Sequence, residues 1–181
     1  LQLPVKNIDA KKISIKAGAS ELIFQETSNC LDPFYHFAFN IPSNKLDEAI
    51  QWLQHKVELL WLDHYKSFFA DFVNWNAKSD YFLDTGGNIL ELIARFDLAD
   101  EENEQFSSRQ FRNVSEIGFV LPNENFDEKA IEILEKYKLC YFRKQPQLPH
   151  FRAVEVDEGL FIMVPENQHW FATRIVSGFF P

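Results

Sequence analysis

The residue with the clearest chemical demand is a single carboxylate. In DTGGNILELIAR, residues 84–95, Glu91 interrupts the aliphatic run Ile89, Leu90, Leu92, Ile93, which reads as a buried strand. Desolvating an unpaired carboxylate costs several kcal/mol, comparable with the whole net stability of a small domain. Glu91 therefore either lies on a solvated face or meets positive charge, for which Arg95 in the same segment is one source. Other reactive residue types offer less. Cys30, in SNCLDP, and Cys140 show no CxxC spacing and no partnered base, so they read as incidental thiols rather than a nucleophile, a disulfide framework or a thiolate metal site. His55, His64, His150 and His169 show no HxH or HxxxH spacing. TGGN closes a hairpin between two strands and does not lead from strand to helix, so it is no phosphate loop.

The elements that must position these residues come as a repeat. HFAFNIPSNKLDEAIQWL from His36 and EIGFVLPNENFDEKAIEIL from Glu116 both run from strand-like alternation to Pro (Pro42, Pro122), then polar residues, then Asp-Glu. The offset is a constant 80 residues as far as Asp47-Glu48 and Asp127-Glu128. Leu46, Ala49, Ile50 and Leu53 have the i, i+3, i+4, i+7 spacing of one helix face, and Ala130, Ile131 and Leu134 mirror them. Ser43 or Asn44 is the expected N-cap of the first helix, with acids in its first turn. VELLWLDHY, SDYFLDTGG and NILELIAR read as the three strands after the first helix; CYFRK, FRAVEVDEG and LFIMV read as those after the second.

The unit is thus β-α-β-β-β, present twice, with KKISIKAG and SELIFQET as the last hairpin of a third, incomplete copy at the N-terminus. The expected organisation is a remnant over 1–29, a second unit over 30–96, a connecting segment over 97–112 and a third unit with a tail over 113–181. One unit is too small to bury its helix and its sheet face alone, so two units must share a curved sheet around a cleft. The fold class is α+β.

Composition narrows the partners. A net charge of −9, with no cluster of Lys and Arg, argues against a nucleic-acid or anionic-membrane partner, both of which need a basic face. No apolar run approaches the roughly 20 residues of a membrane span, and no signal peptide is evident. Two unpaired cysteines suit a reducing compartment, so the cytoplasm is the expected location.

YHFAFNIP at 35–42, WNAKSDYFLDTGGNILELIAR at 75–95 and SEIGFVLP at 115–122 resemble the vicinal oxygen chelate superfamily, which includes glyoxalase I, extradiol dioxygenases, fosfomycin-resistance enzymes and bleomycin-binding proteins. DEGLFIMVPENQHWFAT, 157–173, looks like the ending of an uncharacterised bacterial branch of it, and LQLPV at 1–5 resembles the end of that branch's first helix. The resemblance implies a glyoxalase/bleomycin-resistance/dioxygenase-like fold of repeated βαβββ units, with the first unit incomplete. It places metal ligands in the first and last strands of a unit, here His36 and Glu91, the latter in an intact G-N-x-x-E as Gly87-Asn88-Ile89-Leu90-Glu91. Glu116 takes the place of His36 in the repeat, whereas Met163 falls near the place of Glu91 and would be a poor ligand for a hard cation.

By the same resemblance the chain is expected to be a metal-dependent enzyme acting on a small oxygen-rich substrate, which chelates Fe, Mn, Ni or Zn through two neighbouring oxygens. An oxygenase would want two His with one carboxylate; without a second His, lyase or isomerase chemistry fits better than ring cleavage. The alternative is metal-free sequestration of an apolar or aromatic compound in the bleomycin-resistance manner. Trp75, Tyr81 and His64 are expected to line the cleft. The uneven number of units is compatible with pairing to a second copy.

Overall fold

The mixed segment around Tyr81 and the continuous apolar run around Leu90 both become strands covered on their two faces. In a computed structural model, which describes residues 1–26 and 33–178, these become β6 and β7 of the following order. β1 (Val5–Ile8), β2 (Lys12–Ala17) and β3 (Ser20–Gln25) form a separate antiparallel sheet. β4 (His36–Ile41), α1 (Leu46–Gln54), β5 (Phe69–Phe72), β6 (Ala77–Leu83) and β7 (Ile89–Arg95) make one βαβββ unit. β8 (Asn113–Leu121), α2 (Phe126–Tyr137), β9 (Arg152–Val156) and β10 (Gly159–Pro165) make the second, which is one strand short (βαββ) because the segment after α2 keeps a single bridge, Tyr141 to Val154.

Both units share one seven-stranded mixed sheet, ordered β5-β6-β7-β4-β8-β10-β9 and curled into a half-barrel. Within each unit the first and last strands pair in parallel, β4 with β7 and β8 with β10, and the units meet along the antiparallel pair β4–β8. This is the repeat read from the sequence, now visible as strand pairing.

The period of two sorts the strands cleanly. Phe37, Phe39, Ile41, Leu90, Leu92, Ala94 and Phe82 pack on one face beneath Leu46, Ala49 and Leu53 of α1. Ala38, Ala77, Tyr81, Ile89, Ile93, Leu160, Ile162 and Val164 pack on the other. β7 is buried along its whole length because both of its faces are covered. Phe126, Ala130 and Leu134 of α2 cover Met163 and Val154 in a smaller third cluster.

Several local expectations give way to tertiary packing. VELLWLDHY is not a strand: Leu59 and Leu62 make single bridges, to Phe82 and Ser67, and are buried in different clusters, while the edge strand forms later, at Phe69–Phe72. CYFRK likewise keeps one bridge, Tyr141 to Val154. LQLPV is not helical; Leu1 and Leu3 lie against the α1 core and β1 begins at Val5. Lys45 is the residue before α1, because the Ser43 hydroxyl and the Asn44 amide donate to the Asp100 and Glu102 carbonyls and hold the connecting segment instead of capping the helix. Ile131 points to solvent, and the buried α2 stripe starts one turn earlier, at Phe126. Cys140 is exposed, and Cys30 lies outside the described residues. Among the described residues, no helix is long and apolar enough to cross a membrane.

Candidate metal centre

The turn before β7 sets the site. Asp84 accepts hydrogen bonds from the backbone N–H groups of Gly86 and Asn88, and Gly87 adopts φ +80°, a conformation that favours glycine. Asn88 is thereby fixed, and its side-chain oxygen accepts from the Tyr35 N–H at 2.8 Å. That bond fixes the start of β4, so His36 pairs opposite Ile89 and Ala38 opposite Glu91. Across the seam, Ala38 also faces Glu116. Two glutamates therefore flank one alanine on the same face of the sheet, and the small side chain between them leaves room for their carboxylates to converge.

His36 completes the group. Its Nδ1 donates to the Ile89 carbonyl at 3.3 Å, which leaves Nε2 of the neutral ring as the free lone pair. Nε2 lies 3.6 Å from a Glu91 oxygen and 3.8 Å from a Glu116 oxygen. One donor atom from each of His36, Glu91 and Glu116 lies within 4.8 Å of the others, and all three residues are buried.

The donor set fits a divalent cation. Bonds of about 2.1 Å put neighbouring donors roughly 3.0–3.4 Å apart in octahedral or tetrahedral geometry, so a small inward movement closes this group on an ion. Glu91 Oε1 is buried and accepts no hydrogen bond, an acceptor left over after the protein's own partners are counted. Imidazole with two carboxylates suits Mn, Fe, Ni or Zn rather than a soft ion.

The electrostatics show what bringing these groups together costs. Burial, and then the charge of Glu116, push the Glu91 carboxyl up to about 8, against a smaller opposing effect of His36. Burial depresses the His36 imidazole, but Glu116 and Glu91 outweigh it and the net shift is upward. Burial and then the same two acids hold the Tyr81 phenol well above its ordinary value.

The basic partner considered for Glu91 goes to its neighbour. The buried Arg95 guanidinium donates to Glu116 and to Ser115, reaches Asp157 at 3.4 Å, and takes Asn40 Oδ1 as a further acceptor. Glu116 is thus the acid paired with Arg95, and Glu91 has only the His36 imidazole beside it.

A cavity of about 420 Å³ opens over this group. His36, Glu91 and Glu116 line it together with Phe72, Trp75, Tyr81, Phe151, Ile162, Val164, Trp170 and Phe171; Gln145, Leu148, His150, Gln168 and His169 complete the wall. Trp75 and Tyr81 both line the cavity. His64 does not: it sits exposed in the turn after Leu62, edge-on to Tyr65, and takes no part in the cavity wall.

The repeat-related place of Glu91 also moves by one residue. Leu160 pairs with Glu116 and Ile162 with Gly118, so Ile162 holds that place, while Met163 faces α2. An aliphatic side chain closes the fourth corner. Sequence reasoning missed Trp170 and Phe171, which belong to the aperiodic tail. Trp170 packs against His36 at 5.5 Å between ring centroids, over Gly118, where a Cβ would come within 2.5 Å of the indole.

No family model matches the sequence, and no curated protein matches it. Solved structures do. The chain is similar to a candidate dioxygenase from Bacillus subtilis subsp. subtilis str. 168, at 12% identity and a TM-score of 0.57, over 84% of this chain and 50% of that one. This chain therefore spans about half the length of that protein. It is also similar to lactoylglutathione lyase from Agrobacterium tumefaciens, at 16% identity and a TM-score of 0.41, over 55% of this chain and 80% of that one. At 12% identity the first likeness shows the fold alone, a glyoxalase/dioxygenase-like curled sheet.

Proposed function

We propose that this chain is a metal-dependent enzyme acting on a small, oxygen-rich substrate, with His36, Glu91 and Glu116 as the protein ligands of a divalent ion. The observation that supports this reading is the convergence of three buried donors from three strands at the floor of a cavity, one carboxylate oxygen among them having no partner. Such a constellation on a rigid sheet is costly for the fold and has the marks of a functional site.

When bound there, a divalent ion supplies Lewis-acid polarisation of two neighbouring substrate oxygens. The chain's own residues do the rest. The Ile89 carbonyl fixes the His36 tautomer, and Arg95 orients Glu116 through charge-assisted hydrogen bonds. Glu91 Oε1 is buried beneath the cavity without a hydrogen-bond partner, which leaves it free to serve an ion. The apolar walls exclude water, which strengthens every polar contact at that floor. One imidazole and two carboxylates depart from the two-His, one-carboxylate set of non-haem iron oxygenases, so lyase or isomerase chemistry is favoured over ring cleavage.

Metal content of protein prepared without chelator, and after incubation with Mn, Fe, Ni or Zn, tests the reading. Near-stoichiometric uptake by the wild type, lost in His36→Ala and in Glu91→Gln, supports it; a wild type that takes up none of the four overturns it. The aromatic wall of the cavity favours one alternative, a metal-free protein that sequesters an apolar or aromatic compound. That alternative predicts tight small-molecule binding in EDTA with no turnover.

A further inference from the structure

The walls above the three donors are built of rings in contact. Tyr81 lies 6.4 Å from His36 between centroids and 5.3 Å from Phe171. Phe171 lies 5.5 Å from Phe72, Phe72 lies 5.7 Å from Trp75, and Trp75 lies 6.4 Å from Phe151. With Trp170 on the other side of His36, these rings run around the cavity from floor to rim. The one polar atom of the Trp75 ring system is already used, since its indole N–H donates to Gln145 at 2.8 Å.

Charge on these walls is scarce in a particular way. No Lys or Arg lines the cavity among the described residues. The nearest guanidinium, Arg95, is fully buried behind Glu116, and its donors go to Glu116, Ser115, Asn40 and Asp157. Away from an ion held by the three donors, an anionic group against these walls would therefore be desolvated with no Lys or Arg to meet it, a cost of several kcal/mol. An uncharged planar ring meets the opposite situation, with offset-stacked and edge-to-face contacts available on several sides.

We propose that the substrate class of this site is an uncharged aromatic compound bearing ring oxygens, its ring held by Phe72, Trp75, Tyr81 and Phe171 and its oxygens directed to the His36, Glu91 and Glu116 end. This rests on the small-molecule reading of the cavity given above. Phe171 is the specificity-determining contact, because it comes from the C-terminal tail and closes the ring of aromatics between Tyr81 and Phe72.

The test is isothermal titration of the full chain at pH 7.5 in EDTA, with 2-naphthol, its anionic counterpart 2-naphthoate, and glutathione as probes. The expected result is saturable micromolar binding of 2-naphthol, at least tenfold weaker binding of 2-naphthoate, and none of glutathione. Phe171→Ala, at a residue 47% exposed and thus dispensable for folding, weakens 2-naphthol at least fivefold. Trp61→Ala removes an exposed aromatic side chain outside the cavity and leaves binding unchanged. Naphthoate binding as tightly as naphthol, an unaltered affinity in Phe171→Ala, or no saturable naphthol binding overturns the proposal. Uptake of Mn alone by equilibrium dialysis is measured separately. A failure of the metal centre then appears as absent Mn uptake with naphthol binding intact, and a failure of the substrate class appears as the reverse.

Discussion

Glu91→Gln separates what the buried carboxyl does for the fold from what it does for the site. The Glu91 carboxyl has an ordinary value of 4.5 and is pushed up to about 8 in the folded protein by burial and by Glu116. Between those values the folded protein holds a proton that the unfolded chain has released. Its stability is therefore full below pH 4.5 and falls by about 1.4 kcal/mol per pH unit until pH 8. A glutamine of the same shape has no proton to lose. In EDTA, the variant should match the wild type at pH 5 and exceed it by about 3 kcal/mol at pH 7. At roughly 2–4 °C per kcal/mol for a chain of this size, the gap is about 6–12 °C in Tm. His36, whose imidazole is also shifted upward, adds a slope of the same sign in the wild type.

The assay is thermal unfolding from pH 5 to 9, with and without metal. Saturation at a hundredfold excess over Kd should return about 2.7 kcal/mol to the wild type and nothing to the variant, closing most of the gap. A variant less stable than the wild type at pH 8 in EDTA, or a gap that does not widen with pH, refutes the reasoning. Either would mean that Glu91 is ionised and satisfied in the fold, as a salt bridge to Arg95 would make it.

Arg95→Met leaves Glu116 buried without its cation and should cost about 3–5 kcal/mol in urea unfolding, most of it recovered when Glu116→Gln is added. Gly118→Ala places a methyl group against the Trp170 indole and 3.1 Å from the His36 Cβ; a loss of about 1–3 kcal/mol is expected, with a shift in tryptophan emission as Trp170 moves. Asp80 is fully buried with neither carboxylate oxygen hydrogen-bonded, and burial raises it well above the usual carboxylate range. Its contribution to stability is lost as pH rises above the ordinary aspartate value. Asp80→Asn should therefore equal or exceed the wild type in Tm at pH 8, with the difference disappearing near pH 3.

What was legible in the sequence was what local rules encode. Glu91 announced itself by breaking an aliphatic run, and the hairpin before it carries the asparagine that fixes Tyr35 and hence His36. The 80-residue offset brought in Glu116, and the strand pairing shows why: both acids lie across from Ala38. Register decided the failures. Met163 was one residue off because the pairing that places Ile162 is set by the parallel ladder to β8, which no local pattern reports. The choice of Arg95 for Glu116 over Glu91 likewise depends on the seam, where β4 carries an irregularity between Ala38 and Phe39. Trp170 and Phe171 sit in a tail without periodicity, held by bonds such as Ser177 Oγ to the Pro165 carbonyl, so only the folded chain reveals that they close the cavity. His64 erred the other way: its aromatic neighbourhood in sequence belongs to a turn, and that turn leads into the sheet edge.

The seam between β4 and β8 has a kinetic meaning as well. His36 and Glu91 belong to one unit and Glu116 to the other, and among the described residues the seam is the only ladder that joins the two units within the main sheet. Even inside the first unit, His36 meets Ile89 across 53 residues of chain, so the group exists only after long-range pairing is complete. An ion gripping all three side chains would act as a clasp across that joint. Its hold would be absent while the units are still separate and present once they have met, so it would slow unfolding far more than it would speed folding. Chelation would then shorten the lifetime of the native state, and protease resistance would track the metal as closely as activity does.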